Sequence, residues 1–223
     1  MATVSTAGNA ELHYVQDDFD DLDQVVALAA RVRGLTDTVD VLANNAGRPG
    51  AERCTLSRNG YEATLQTNYL AAFLLTHHLA PVLPSGGRVV HVASATHLSV
   101  ALDPDDIGLE HGYSPVRAYA TSELGMVAHA VTQTEEWRPD GPQIASISPN
   151  VISTRLLHAM FAVRGAAPEH GARNVVDAAT RPLPSSGAYI DDGRPADPSA
   201  QVQDPGFRRR LHRVTSRFLA AWT

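Results

Sequence analysis

Tyr119 and Glu123 stand four residues apart in AYATSELG, and a phenol and a carboxylate at that spacing share one face of a helix. A free tyrosine titrates near pH 10, and a negative charge beside it raises that value, so an ionised Glu123 keeps the phenol protonated. Tyr119 is then a proton donor, while Glu123 is either a base or a side chain turned into solvent. Ser94 closes the run RVVHVAS, and His97 follows three residues later on the loop leaving the same strand. Its imidazole titrates near neutrality and is a candidate acid or base, with an ordinary loop histidine as the plain alternative. A serine and a tyrosine that hydrogen-bond a carbonyl oxygen, with a carboxylate or imidazole close by, suit acid-base chemistry at a carbonyl.

Other chemistries lack their residues. Cys54 is the single cysteine, which excludes an internal disulfide and reads as a loop or packing thiol. His77 and His78 sit mid-helix and suit solvent or a dimer face; no Cys/His/Asp grouping has zinc spacing, and no metal is expected. A Gly-x-Ser-x-Gly elbow is also missing. The net charge of −6 argues against nucleic acid and anionic membrane surfaces, and the one basic run, Arg208 to Arg210, reads as a solvated helix face. No basic leader with an apolar stretch opens the sequence, and no window has the 18 or so apolar residues of a membrane span. A soluble, cytoplasmic protein is expected.

The elements that must position these residues alternate between strand and helix, which predicts a parallel sheet with helices on both faces. Strands are predicted over 11–16, 39–42, 88–93 and 143–147. Helices are predicted from the acidic run Asp17–Asp23 through Arg33, over 59–83, from Ser114-Pro115 to Trp137, and from Phe207 onward. The stretch 182–205 is rich in Gly, Pro and Asp and reads as loop. At 223 residues and 43% hydrophobic, 1–223 reads as one domain closed by a 206–221 helix. Only Met1 to Ala10, with one glycine, precede the first predicted strand, so no Gly-rich turn leads there into a helix N-terminus able to hold a pyrophosphate.

Several motifs occur in an order that resembles the short-chain dehydrogenase/reductase family, most closely its retinol-dehydrogenase-like branch. They are Asn44-Asn45-Ala46-Gly47, Asn68 in LQTNYLAAFLLT, Ser94 in RVVHVASATH, Tyr119 in AYATSELG and Thr154 in SPNVIST, continued by GARNVVDAAT and SSGAYIDDGRPADPS. The resemblance implies a Rossmann-like doubly wound sheet, here N-terminally truncated by its first βαβ unit and its Gly-rich cofactor motif. It implies that Ser94 polarises a carbonyl, that Tyr119 moves the proton and that Asn68 maintains a water relay. The lysine that lowers the tyrosine pKa and holds the cofactor ribose is Glu123 here. A Pro-Gly turn at the nicotinamide end is Pro149-Asn150, where asparagine tolerates left-handed angles and its side chain is expected to fill cofactor space. Asp18, aligned with an adenine-contacting acid, and Thr154, aligned with a nicotinamide contact, are expected to be helix caps.

Inverted charge at 123 and a missing pyrophosphate turn together lead to the expectation of an enzyme without cofactor. It would act on a carbonyl-containing biosynthetic, natural-product intermediate by cyclisation, dehydration or isomerisation, with Tyr119, Ser94, Asn68, Glu123 and His97 as its site. The alternatives are a non-catalytic dimerising regulator of a full-length reductase, and an NAD(P)-dependent oxidoreductase with an unusual cofactor mode. The segment 11–16 is expected to move in beside 39–42, its helix forming the crossover. The resemblance also implies a homodimer through the 59–83 and 114–137 helices.

Overall fold

The computed structural model describes residues 11–137 and 140–223. Helix α1 (Leu22–Leu35) is capped by Asp21, whose carboxylate accepts from the Asp23 N–H, and Asp23 lies in the first turn, where the helix dipole favours a negative charge. The cap is therefore Asp21; Asp18 accepts from the Asp20 N–H in the approach to it. The next helical stretch comprises α2 (Ala63–Leu65), a π turn (Gln66–Leu70) and α3 (Ala71–Leu79). It begins at Glu62, whose carboxylate oxygens accept from the Thr64 and Leu65 N–H groups at 3.0 and 2.7 Å. Helix α4 (Pro115–Trp137) starts as its sequence predicts, with the Ser114 hydroxyl accepting from Arg117 N–H at 3.2 Å.

Strands β1 (Val41–Asn44), β2 (Arg88–Val92), β3 (Gln143–Ser148) and β4 (Ala188–Asp191) pair in that order and in parallel, and β5 (Arg194–Ala196) returns antiparallel to β4. Adjacent residues of one strand point to opposite faces. Val89 joins Leu70, Leu74, Leu124 and Ile144 in the main core, while Val90 and Ile147 pack with Ala178 of α6 (Pro168–Thr180) on the other side. Burial on both faces is what a parallel sheet requires, and the chain has the expected α/β architecture. β4 and β5 lie within 182–205, the stretch that composition reads as loop.

The segment 11–16 does not join the sheet. Leu12 and Tyr14 are exposed, and β1 forms the sheet edge among the described residues. The cause lies just downstream: Asp17 pairs with Arg31, and Asp18 N–H donates to Gln24 Oε1 at 3.0 Å. Both bonds hold the incoming chain on α1 instead of beside β1.

Helix α8 (Pro205–Leu219) crosses α4 and buries Phe207, Leu211, Val214 and Leu219. Tyr61 stacks on Phe218 with ring centroids 4.9 Å apart, and the hydroxyls of Tyr69 and Thr215 lie 2.8 Å apart. Arg208 is not on a solvated face: it is buried, pairs with Glu135 and donates to Val202 O at 2.7 Å. Arg210 pairs with Asp105. With α8 in place, residues 121–130 of α4 are all buried within one chain. Among the described residues no helix is long and apolar enough to cross a membrane.

Candidate active site

The carboxyl ends of β1, β2 and β3 open into a cavity of about 520 Å³, and Asn68, Ser94, Tyr119 and Glu123 all line it. Three separate elements bring them together. Ser94 follows β2 and caps a short 3₁₀ turn (Ala95–Ser99), accepting from Thr96 N–H at 3.2 Å. Tyr119 and Glu123 come from successive turns of α4. Asn68 lies in the π turn, a local widening of the helix that recurs at functional sites. Its amide spans two elements: Oδ1 accepts from Arg48 N–H at 2.8 Å, and Nδ2 lies 3.1 Å from both Arg48 O and Ser122 Oγ and 3.4 Å from Glu123 Oε1. Asn68 thus ties the loop after β1 to α4.

Glu123 is not turned into solvent. It is 6% exposed, and burial lifts its carboxyl to about 8, with the Asn68 amide pulling the other way. The Tyr119 phenol is raised well above its ordinary value, first by burial and then by the Glu123 charge, and the neighbouring Ser94 hydroxyl offsets part of the rise. Both influences favour the protonated phenol, the form that donates a proton.

His97 falls outside the cavity lining. Its ring is fully buried, Nδ1 lies 2.8 Å from Ser94 O, and Nε2 accepts from Ser199 N–H at 3.3 Å. Its edge packs on Tyr189 with centroids 4.8 Å apart, and burial lowers its pKa. Both ring nitrogens are engaged, so His97 fastens the loop after β2 and has no free nitrogen for a substrate. Cys54 is exposed, and its thiol is pushed up by slight burial and by Glu62, so it is not poised as a thiolate. Among the described residues no group of three His, Cys, Asp or Glu could hold a metal.

The cavity floor is the loop after β3. Asn150 has φ +75°, as its place in the turn predicts, but its side chain does not fill the cavity: Nδ2 donates to Asp192 Oδ2 at 2.8 Å. Asp192 also meets His170 at 2.5 Å and Asn174 at 3.1 Å, contacts that hold its carboxyl below the usual range. Asn150 thus clamps the floor loop, and His170 and Asn174 clamp α6, to the β4–β5 turn. Thr154 caps α5 (Arg155–Met160), accepting from Leu157 N–H at 3.2 Å, and also lines the cavity. Beyond it Leu156, Leu157, Phe161 and Val163 make an apolar wall. Sequence reasoning missed both the wall and the clamp. The wall had a signal in the apolar residues that crowd after the Thr154 cap, on a helix that buries none of its own residues. The clamp joins residues 42 positions apart and had none.

The dinucleotide implied by the motif order can be tested against these residues. The apolar wall and facing hydroxyls fit a nicotinamide ring, and a buried carboxylate fits a ribose because it accepts from two vicinal hydroxyls where a lysine would donate. Among the described residues the cavity's charged lining is Glu123 and Asp191, neither of them a cation that could meet a phosphate. The fit covers the nicotinamide and its ribose.

Residues 1–164 match the family profile of the short chain dehydrogenases. A Streptomyces sp. (strain C5) protein named as a daunorubicin C-13 ketoreductase is 34% identical over 208 residues, which span 87% of this chain and 70% of that protein. The polyprenol dehydrogenase of Mus musculus is 33% identical over 228 residues, spanning 92% and 67% respectively. An uncharacterized protein from Mycobacterium paratuberculosis has a crystal structure that superposes with a TM-score of 0.76 at 26% identity, covering 91% of this chain and 74% of that one. The two named relatives are a reductase and a dehydrogenase, both redox enzymes. That finding overturns the expectation of a cofactor-independent cyclase, dehydratase or isomerase. Charge inversion at position 123 does not by itself exclude the cofactor, since a carboxylate also has a way to meet a ribose.

Proposed function

The chain belongs to the short-chain dehydrogenase family, and within it we propose an NAD(P)-dependent oxidoreductase that reduces the carbonyl of an apolar substrate. The observation that carries this reading is the Ser94–Tyr119 pair in a cavity that Leu156, Leu157, Phe161 and Val163 also line. Ser94 and Tyr119 donate to the carbonyl oxygen and stabilise the negative charge that develops there. The bound reduced nicotinamide supplies the hydride. Tyr119 then gives its proton to the resulting alkoxide, a task suited to a phenol that burial and Glu123 keep protonated. Asn68 holds Glu123 and the Arg48 loop in register, and Glu123 is the residue that would accept from the ribose hydroxyls. The apolar wall selects a substrate body without charge.

Oxidation of NADPH and NADH by the purified chain with a panel of apolar ketones tests the proposal. Turnover is expected with at least one ketone, and Tyr119→Phe is expected to lower kcat by about 10²–10⁴-fold while leaving cofactor affinity unchanged. Unchanged kcat in Tyr119→Phe, or the absence of any cofactor binding, overturns it.

A further inference from the structure

Within a family whose resemblance implies a lysine at this place, a fully buried carboxylate is the feature with most left to explain. Among the described residues Glu123 has no ion-pair partner: burial raises its pKa, and the Asn68 amide pulls it the other way. The groups that face it are Tyr119 and Ser122 of α4, Asn68 of the π turn, and Tyr189 and Asp191 of β4. None is a cation. Arg48 contacts the network through its backbone, its side chain being turned to Asp20. Asp191 adds a second carboxylate to the same lining. An unpaired acid in an apolar-walled cavity is costly when ionised, and a ligand that brings a positive charge removes that cost.

The oxidised nicotinamide ring carries one positive charge and the reduced ring none, while the two forms otherwise share one shape. We propose that Glu123 makes this cavity discriminate between them, holding the oxidised cofactor more tightly than the reduced. The inference rests on the reading that the nicotinamide end of the cofactor occupies the cavity. Two unit charges about 6 Å apart at an effective dielectric near 20 give a preference of about a hundredfold once Glu123 is ionised. With the free carboxyl near pH 8, ionising it at pH 7 absorbs about a factor of ten, so the preference at pH 7 is about tenfold. The same coupling makes the oxidised form expel close to one proton on binding at pH 7, and the reduced form none.

Calorimetric titration of the whole chain with NAD⁺, NADH, NADP⁺ and NADPH at pH 7 and pH 9, in buffers of different ionisation enthalpy, reads both effects without turnover. The expected result is a preference for the oxidised form that grows about tenfold between the two pH values, with proton release at pH 7 confined to that form. Glu123→Gln keeps the shape and removes the charge, so it is expected to bind both forms alike at both pH values and release no proton. The comparison is a ratio within one variant, so a general loss of affinity cancels, and Glu123→Asp is expected to restore part of the preference. If Glu123→Gln keeps the wild-type ratio and its pH dependence, or if the wild type binds both forms equally, the inference fails and the oxidoreductase reading stands. If neither form binds the wild type, both fail.

Discussion

Replacing Glu123 by glutamine should make this protein more stable, by an amount that grows with pH. The carboxyl is fully enclosed, and burial raises its folded-state pKa from 4.5 to about 8. An acid whose pKa is raised on folding binds more protons folded than unfolded between those two values. Its contribution is therefore complete below about pH 4.5 and is lost as pH rises through about pH 8. Each unit is worth about 1.4 kcal/mol, so the penalty reaches about 3 kcal/mol at pH 7 and levels off near 5 kcal/mol above pH 8, as order-of-magnitude figures. Glutamine has the same shape and no charge to bury, and it keeps an acceptor for the Asn68 amide. Urea unfolding of wild type and Glu123→Gln at pH 5, 7 and 9 is the assay. The two free-energy curves should nearly meet at pH 5, separate by about 3 kcal/mol at pH 7 and stay apart at pH 9. Parallel curves across that range would refute the premise that Glu123 is a buried acid without a cation.

Substrate charge is expected to matter because the cavity's charged lining is acidic throughout. For a matched pair of apolar ketones, adding a carboxylate should raise KM at least tenfold with little change in kcat, and equal KM values would count against the cavity as the substrate site. The homodimer through the 59–83 and 114–137 helices stays a proposal. Residues 121–130 are already buried within one chain, and Val116 and Glu135 of α4 and His77 of α3 are exposed positions on the two helices. Light scattering is expected to give twice the chain mass, and a single-chain mass would overturn it.

Much of the site was legible because its positions depend on local rules. Tyr119 and Glu123 face one cavity because they are four residues apart in a helix whose start is announced by Ser114-Pro115. Ser94 lies at a strand end because Val89, Val90 and Val92 make that strand. What failed depended on distant partners. His97 has the right neighbourhood in sequence, but Ser199, 102 residues away, takes its second nitrogen. Leu12 and Tyr14 alternate like a strand, yet alternation cannot show whether a neighbour is free to pair, and the bonds from Asp17 and Asp18 onto α1 settle the matter. Arg208 reads as a surface cation until Glu135 and Val202 are placed beside it.

The exchange of a lysine for Glu123 bears on the direction of the chemistry more than on its existence. A cation beside Tyr119 lowers the phenol pKa and prepares it to take a proton from an alcohol, whereas Glu123 adds to burial in raising it. A phenol with a raised pKa gives up its proton only to a stronger base, and the alkoxide left by hydride addition to a ketone is such a base. Preference for the oxidised cofactor acts in the same sense, since positive charge develops on the nicotinamide as hydride leaves it, and a carboxylate that stabilises the product also stabilises the path toward it. Donor tyrosine and buried acid thus favour carbonyl reduction, and tight retention of the oxidised cofactor makes its release the step expected to limit turnover.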